Sequence, residues 1–404
     1  MGQIFIPTAE TFPNTADAVV IGGGIVGVAT AFWLSRAGLD TVLVERRDGL
    51  STLTTPESIE SFRAQFTEPA MSELAVAGIE MFEHLADLIS MPGYDIGIKH
   101  QGYLFVTADA DMVDDVRAAV EKHHALGVTD SEFLTGDEAR ACFPYLSASV
   151  VAASFRQRDG WLSSHEATQG FAKGCDARFL VRTEATRVLR DAHGVCGVET
   201  DRGVIAARVV VNAAGPFAGQ VGRTLGLDLP LEAVRRQKVF LSQQPLVPQD
   251  APLTIDLVRD AYWRPETGGA YIAWVDPDEP VAEHPSENPP TDPYFAAIVL
   301  EKLIESTPFW EEVAMNLKKA DVHPSAGYYV YTPDDQPLIG PMEDVPGFYL
   351  NCGYWAGVML APAAGQRVAD LVTGALKPEE NPLRPSRYEE GIVVEGNSFL
   401  RGRH

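Results

Sequence analysis

Ala18-Val-Val-Ile-Gly-Gly-Gly-Ile-Val-Gly27 decides how this chain is read. Its four leading apolar residues, 18–21, have the uninterrupted pattern of a strand buried on both faces. Gly22, Gly24 and Gly27 stand at G-x-G-x-x-G spacing, and residues 28–36 carry a helical period. Gly22 permits a tight turn from strand to helix, Gly24 lets a pyrophosphate approach the backbone, and Gly27 lets helix and strand pack closely. The helix start then offers backbone N–H groups and a positive dipole end to phosphate, and Ile25 and Val26 in the turn are candidate cofactor contacts. A second apolar run, Thr41-Val-Leu-Val44, ends on Glu45, 23 residues after Gly22. A carboxylate there accepts hydrogen bonds from a ribose hydroxyl pair and repels a 2′-phosphate. The stretch therefore predicts a βαβ unit that seats an adenosine diphosphate group and disfavours NADP.

The 404 residues exceed one ordinary core, which points to two domains, and an apolar content of 46% supplies well-packed interiors. A formal charge of −24 argues against nucleic acid or an anionic membrane as partner. No apolar run is long enough to span a bilayer, and residues 1–16 lack the basic start and apolar core of a signal peptide. Cys142, Cys175, Cys196 and Cys352 show no C-x-x-C pairing and read as reduced thiols, so a cytoplasmic protein is expected. His123-His124 ends an amphipathic segment and reads as a surface feature of a helix end, and no metal site is expected.

Outward from the first unit, residues 1–16 read as an irregular lead-in. After Glu45 and Arg46 comes a hydroxyl-rich run holding Thr52, Thr54 and Thr55. It has two readings: hydroxyls that bond a diphosphate beneath the glycine turn, or a capping loop in which Pro56 and Glu57 open a helix. Residues 71–88 have the spacing of a helix packed on one face. From residue 94 the texture changes to a strand at 102–107, a helix at 109–123 and a capping box, Thr135-Gly-Asp-Glu138. A helix starting at 165 precedes three strand-like runs, 179–189, 195–200 and 204–212, spaced as a small β-meander that carries Thr186. The last run leads into Ala213, Ala214 and Gly215, small residues where a ligand can approach the backbone.

Residues 230–330 are rich in aromatics and in strand-like pieces at 238–241, 254–257, 261–264 and 270–274. A proline-rich loop at 277–290 interrupts them, and a helix is predicted at 292–306. A strand at 348–350 then meets Gly353, Tyr354, Trp355, Ala356, Gly357, Val358 and Met359 before a helix predicted at 361–373. This second strand–glycine–helix module reads as the other half of a cofactor cradle. The class is α/β plus antiparallel β. A Rossmann-like cofactor domain in three segments (17–92, 151–229, 325–390) interleaves with a substrate domain (93–150, 230–324) on a mostly antiparallel sheet, and 391–404 is an irregular terminus.

These pieces together resemble the D-amino-acid oxidase (DAO) superfamily of FAD enzymes, which share a glutathione-reductase-type cofactor fold. The nearest branch holds glycine oxidase, dimethylglycine dehydrogenase and the sarcosine oxidase β subunit. The resemblance rests on Val211-Asn-Ala-Ala-Gly-Pro-Phe-Ala218, Gly327-Tyr-Tyr-Val-Tyr-Thr-Pro-Asp334 with Pro337-Leu-Ile-Gly340, and Gly347-Phe-Tyr-Leu-Asn-Cys-Gly353 with Leu360-Ala-Pro-Ala-Ala-Gly365. Asp159-Gly160, His165-Glu-Ala and Arg384-Pro-Ser-Arg-Tyr388 also fit. It implies that the substrate itself reduces FAD, with O2 or a carrier taking the electrons onward. Three departures are visible. The family's Gly-Phe-Ser-Gly-His-Gly loop, which lies against the flavin pyrimidine edge, is here Gly353-Tyr-Trp-Ala-Gly357, one residue shorter and without histidine. The cysteine and lysine of monomeric sarcosine oxidases correspond to Gly327 and Met359, so FAD is expected to be non-covalent. Tyr329 stands where D-amino-acid and glycine oxidases place a carboxylate-clamping arginine.

Amine oxidation by FAD asks the protein for orientation and a dry pocket rather than a strong acid–base pair. A carboxylate on the substrate would want a planar bidentate cation, for which Arg63, Arg264 and the Arg235-Arg236 pair are candidates. Tyr262, Trp263, Tyr328, Tyr329 and Trp355 are candidate cavity walls with cation–π character, Tyr329 and Trp355 being placed nearest the flavin. The expected activity is oxidation of the C–N bond of a small secondary or N-methyl amine or amino acid to an imine that water hydrolyses. The alternatives are a D-amino-acid or hydroxy-acid dehydrogenase passing electrons to a carrier, and a flavin-bearing subunit of a heteromeric complex that is inactive alone. A monomer or a homo-oligomer is compatible with the first two.

Overall fold

The computed structural model describes residues 2–392. Strand Ala18–Ile21 lies in a seven-stranded sheet of order 3–5, 178–180, 41–44, 18–21, 209–212, 348–352, 338–341. Every neighbouring pair is parallel except Leu338–Pro341 against Phe348–Cys352. Period-two alternation sorts its side chains onto two covered faces. Val20, Leu43 and Val211 pack under helices Ile25–Arg36, Pro69–Glu83 and Gly357–Thr373. Val19, Val42 and Val210 pack against the antiparallel three-stranded unit Ala185–Asp191, Gly194–Thr200 and Gly203–Ala206. The two long helices cross at Gly365, where a Cβ would fall 2.8 Å from the Ala29 carbonyl carbon.

A second sheet has eight strands in the order 322–331, 232–241, 269–274, 261–266, 253–256, 103–107, 152–156, 132–135. All its pairs are antiparallel except Leu253–Asp256 beside Tyr103–Thr107. One face holds Val239, Trp263 and Ile272 under helices Phe295–Ile304 and Phe309–Asn316. The opposite face presents aromatic side chains toward the first sheet.

Several sequence expectations need correction. Residues 3–5 are not an irregular lead-in but an edge strand paired with Arg178–Leu180, too short to carry a pattern of its own. The predicted runs 179–189 and 204–212 each divide between the seven-stranded sheet and the small meander. Arg182, at φ +50, turns the chain in the first of them. The predicted helix 71–88 breaks at His84, and the one at 361–373 begins four residues earlier, at Gly357, with Pro362 inside it. His123 is fully buried rather than at the surface, because it falls on the inner face of helix Val113–Ala125, while His124 is exposed. Ala152–Arg156 and Val322–Tyr331 hydrogen-bond into the eight-stranded sheet, so on sheet membership we propose domain boundaries after 156 and after 331 in place of 151 and 325. Of the predicted irregular terminus, 393–404 lie outside the described residues.

Candidate functional site

A cavity of about 590 Å³ opens where the carboxyl ends of the parallel strands meet the aromatic face of the second sheet. Ligands bind open α/β sheets at that edge. The glycine turn builds its first wall. Gly22 has φ +115, and a Cβ there would lie 2.4 Å from the Ala213 carbonyl oxygen. Gly24 lines the cavity beside the Thr55 hydroxyl, which accepts the Ile25 N–H at 3.2 Å. Gly27 does not line it. A Cβ there would strike the Gly22 carbonyl oxygen at 2.0 Å, so this glycine serves the packing of helix on strand. The hydroxyl run forms a short helix, Thr54–Glu57, which starts two residues before Pro56 and has no side-chain cap, and Thr52, Thr54 and Thr55 line the cavity.

Glu45 accepts the Gly23 N–H at 2.6 Å and the Arg47 N–H at 2.8 Å. Burial pushes its carboxyl above the ordinary range, against the pull of those two N–H groups and of Arg46 and Arg47. The Arg46 guanidinium lies 3.7 Å over the Phe217 ring and 3.2 Å from Glu287, which the proline-rich loop brings across from the second sheet. Among the described residues, the Thr54 hydroxyl and Arg46 Nη2 are buried without a hydrogen-bond partner, and both residues line the cavity. Buried polar groups are rarely left unpaired, so these atoms fit a polar ligand such as the diphosphate and ribose of FAD. Thr186, Ala213, Ala214 and Gly215 complete this end.

The second glycine module builds the other wall. Gly353 has φ +82 and packs 2.7 Å from Thr332 Cγ2, measured from a Cβ placed on it. Tyr354, Trp355, Ala356, Gly357, Val358 and Met359 line the cavity, and helix Gly357–Thr373 aims its N-terminus there. The Trp355 indole N–H donates to the Asp335 carbonyl at 2.8 Å, which fixes the ring although no histidine stands in the loop. Asp335 follows the Thr332-Pro-Asp334 motif. That motif is locked from beneath: Arg387 pairs with both Asp334 oxygens at 2.9 Å, and the Tyr388 hydroxyl donates to Asp334 at 2.6 Å.

The far end is aromatic around one buried cation. Arg63 is 2% exposed, lines the cavity, and donates from Nη1 to the Gln65 carbonyl. Its guanidinium carbon lies 4.2 Å from the Phe66 ring centre, 5.2 Å from Phe105, 5.7 Å from Trp355 and 5.9 Å from Tyr103. Burial lowers its pKa and the fields of Tyr103, Glu68 and Asp159 oppose that, while a guanidinium stays protonated regardless. Tyr262 hydrogen-bonds Tyr329 across the cavity wall, and burial pushes the Tyr262 hydroxyl well above its usual value.

Arg63, Tyr329 and Trp355 thus come together as the sequence suggested, whereas Arg264 does not join them. It is 1% exposed, lies outside the cavity, and is consumed by Glu266 at 2.5 Å and the Ile59 carbonyl at 2.9 Å. Arg235 binds Glu279 and Arg236 binds the Tyr331 hydroxyl, so neither lines the site. Trp263 is core, one residue out of phase with Tyr262 on its strand. Sequence reasoning missed Tyr103 and Phe105, although the alternation in Tyr103-Leu-Phe105 was the available signal. It also missed Glu287 and the Gln65 network described below.

A family model described as FAD dependent oxidoreductase (DAO) matches residues 17–371. The chain belongs to the DAO family of FAD-dependent oxidoreductases. FAD is the cofactor of this DAO-family enzyme, and the residues above fit its two ends. Human mitochondrial dimethylglycine dehydrogenase is 26% identical over 94% of this chain and 45% of its own length. The 4-methylaminobutanoate oxidase (formaldehyde-forming) of Paenarthrobacter nicotinovorans is 28% identical over 90% of this chain and 44% of its own. The chain therefore spans less than half of either relative. Among solved structures, L-proline dehydrogenase from P. horikoshii superimposes with a TM-score of 0.82 at 27% identity, covering 95% of this chain and 100% of that one. Glycine oxidase from Bacillus cereus, at 23% identity and a TM-score of 0.76, covers 94% of this chain and 99% of its own and shares the fold. Among the described residues, no helix is long and apolar enough to cross a membrane.

Proposed function

We propose that this DAO-family enzyme oxidises the C–N bond of a small amino acid carrying a secondary or N-methylated amine. One observation carries the reading: Arg63 is a buried guanidinium in an aromatic-walled cavity that also opens onto both cofactor-binding modules. A planar guanidinium held at the aromatic end of the cavity can engage a carboxylate at two points, and a substrate carboxylate is its natural complement. Bound FAD supplies the two-electron oxidation, which turns the substrate C–N bond into an imine that water then hydrolyses. The protein's part is placement. Arg63 binds the carboxylate, Tyr262 keeps its proton as a hydroxyl donor beside Tyr329, and Phe105, Tyr103 and Trp355 exclude water around the amine. The relatives' printed substrates, dimethylglycine, 4-methylaminobutanoate and L-proline, share an amine bearing a carboxylate, which supports the same class.

We further propose that FAD is held without a covalent bond. By the resemblance, Gly327 and Met359 stand where the monomeric sarcosine oxidases have their cysteine and lysine. Among the described residues, Cys352 is the thiol that lines the cavity, and burial pushes it up to about 12, which disfavours the thiolate an attachment would use. The test is turnover of paired substrates, N-methyl amino acids and the same amines without the carboxylate, under air and with an artificial electron acceptor. Preference for the amino acids with either acceptor supports the reading. Equal use of both members of each pair sinks it, and turnover of hydroxy acids alone would replace it.

A further inference from the structure

Below Arg63, outside the cavity, lies a buried polar cluster that touches neither cofactor wall. Gln65 and Asp159 are 0% exposed and Ser154 is 4% exposed. The Gln65 amide uses both ends: Nε2 donates to the Tyr103 carbonyl and to Asp159 Oδ2, each at 3.1 Å, and Oε1 accepts the Ser154 hydroxyl at 2.6 Å. Asp159 Oδ1 in turn accepts the Ala64 N–H at 2.9 Å and pairs with Arg156 at 2.5 Å. The main-chain carbonyl of this same Gln65 receives Nη1 of Arg63.

We infer that Gln65 is a positioning residue that fixes the Arg63 guanidinium against the cavity and so sets the enzyme's discrimination for a substrate carboxylate. The inference rests on the proposed role of Arg63. An arginine has many rotamers, and bidentate recognition works only when its planar fork is held. Gln65 holds it through the backbone. Its side chain bonds residues 61–66 to strands Tyr103–Thr107 and Ala152–Arg156, and Tyr103 on the first of these also flanks the guanidinium. Loop, cation and aromatic wall therefore move as one piece. Asp159 adds a negative field that partly offsets the buried charge. None of Gln65, Ser154 and Asp159 lines the cavity, so any effect on recognition passes through the residues they hold, Arg63 and Tyr103.

The test compares the holoenzyme with Gln65→Met, Ser154→Ala and Arg63→Met by titrating acetate, and its neutral counterpart acetamide, against the flavin absorbance. Gln65→Met should raise the acetate dissociation constant about tenfold and the KM of a carboxylate substrate in parallel, the size of one lost charged hydrogen bond. Its acetamide binding, kcat and FAD retention should stay within about twofold, and Ser154→Ala should shift acetate about threefold. Equal weakening of acetate and acetamide would mean general loosening and overturn the inference. So would an unchanged acetate constant in Gln65→Met, or in Ser154→Ala if Gln65→Met does not fold, while Arg63→Met loses acetate. Acetate binding that survives Arg63→Met would instead overturn the role given to Arg63.

Discussion

Arg387 and Asp334, 53 residues apart in sequence, form a two-point ion pair at 2.9 Å with both side chains at 0% exposure. The pair joins the last turn of the described chain to the Thr-Pro-Asp motif, and through Asp335 it supports the Trp355 ring beside Arg63. Against the upward push of burial, the hydrogen bonds from Arg387 and Tyr388, with the Arg387 charge, hold the Asp334 carboxyl below its usual range.

Arg387→Met should therefore be strongly destabilising, by roughly 3–5 kcal/mol, because it leaves Asp334 buried and unpaired. Denaturant unfolding of the purified enzyme measures this. A loss no larger than that of a surface arginine variant would mean the pair is dispensable.

Glu45→Ala should weaken FAD binding by about one to two orders of magnitude, the cost of a lost charge-assisted bond together with two stranded N–H groups. Fluorescence titration of the apoprotein with FAD reads the effect. An unchanged affinity would remove Glu45 from the ribose site.

Acidification should destabilise the protein through His123. Burial holds this imidazole neutral in the fold, with its pKa lowered to about 3 and with Arg63, His124 and Arg156 adding repulsion. The unfolded chain takes up the proton below about 6.5, so it binds more protons than the native state between about 6.5 and 3. Stability is therefore lost as pH falls through that window, by up to a few kcal/mol. In His123→Leu the stability curve should be flatter there. The same slope in variant and parent would place the acid sensitivity elsewhere.

Acid precipitation should release the flavin into the supernatant, as a non-covalent cofactor requires. Yellow colour retained in the washed pellet would show a covalent link.

The cofactor half was legible because its constraints leave short motifs at fixed spacing. G-x-G-x-x-G, Glu45 and the small residues 213–215 each answer a steric or hydrogen-bonding need at the ends of neighbouring parallel strands, and those ends fall at recognisable spacings in the sequence. The substrate half was legible only in part, because its walls come from strands that meet through long-range pairing. Arg63 and Arg264 look alike in sequence. What separates them is position: Arg264 lies outside the cavity against Glu266, whereas Arg63 lines the cavity, and that is set by the tertiary fold. Period two explains why Tyr262 reaches the cavity and Trp263 does not, yet which face would be covered by helices depended on segments 295–304 and 309–316, the second of which the sequence reading did not anticipate. The divided strands near Arg182 had no strong breaker in sequence.

The central claim is that Arg63 anchors a substrate carboxylate beside FAD. Steady-state kinetics of Arg63→Met on an N-methyl amino acid test it most directly, with the same amine lacking the carboxylate as reference. Losing a charged contact to a buried carboxylate should cost about 2–5 kcal/mol in kcat/KM, most of it in KM. The flavin spectrum and the rate on the carboxylate-free amine should stay close to those of the parent enzyme. An unchanged KM for the amino acid would contradict the account.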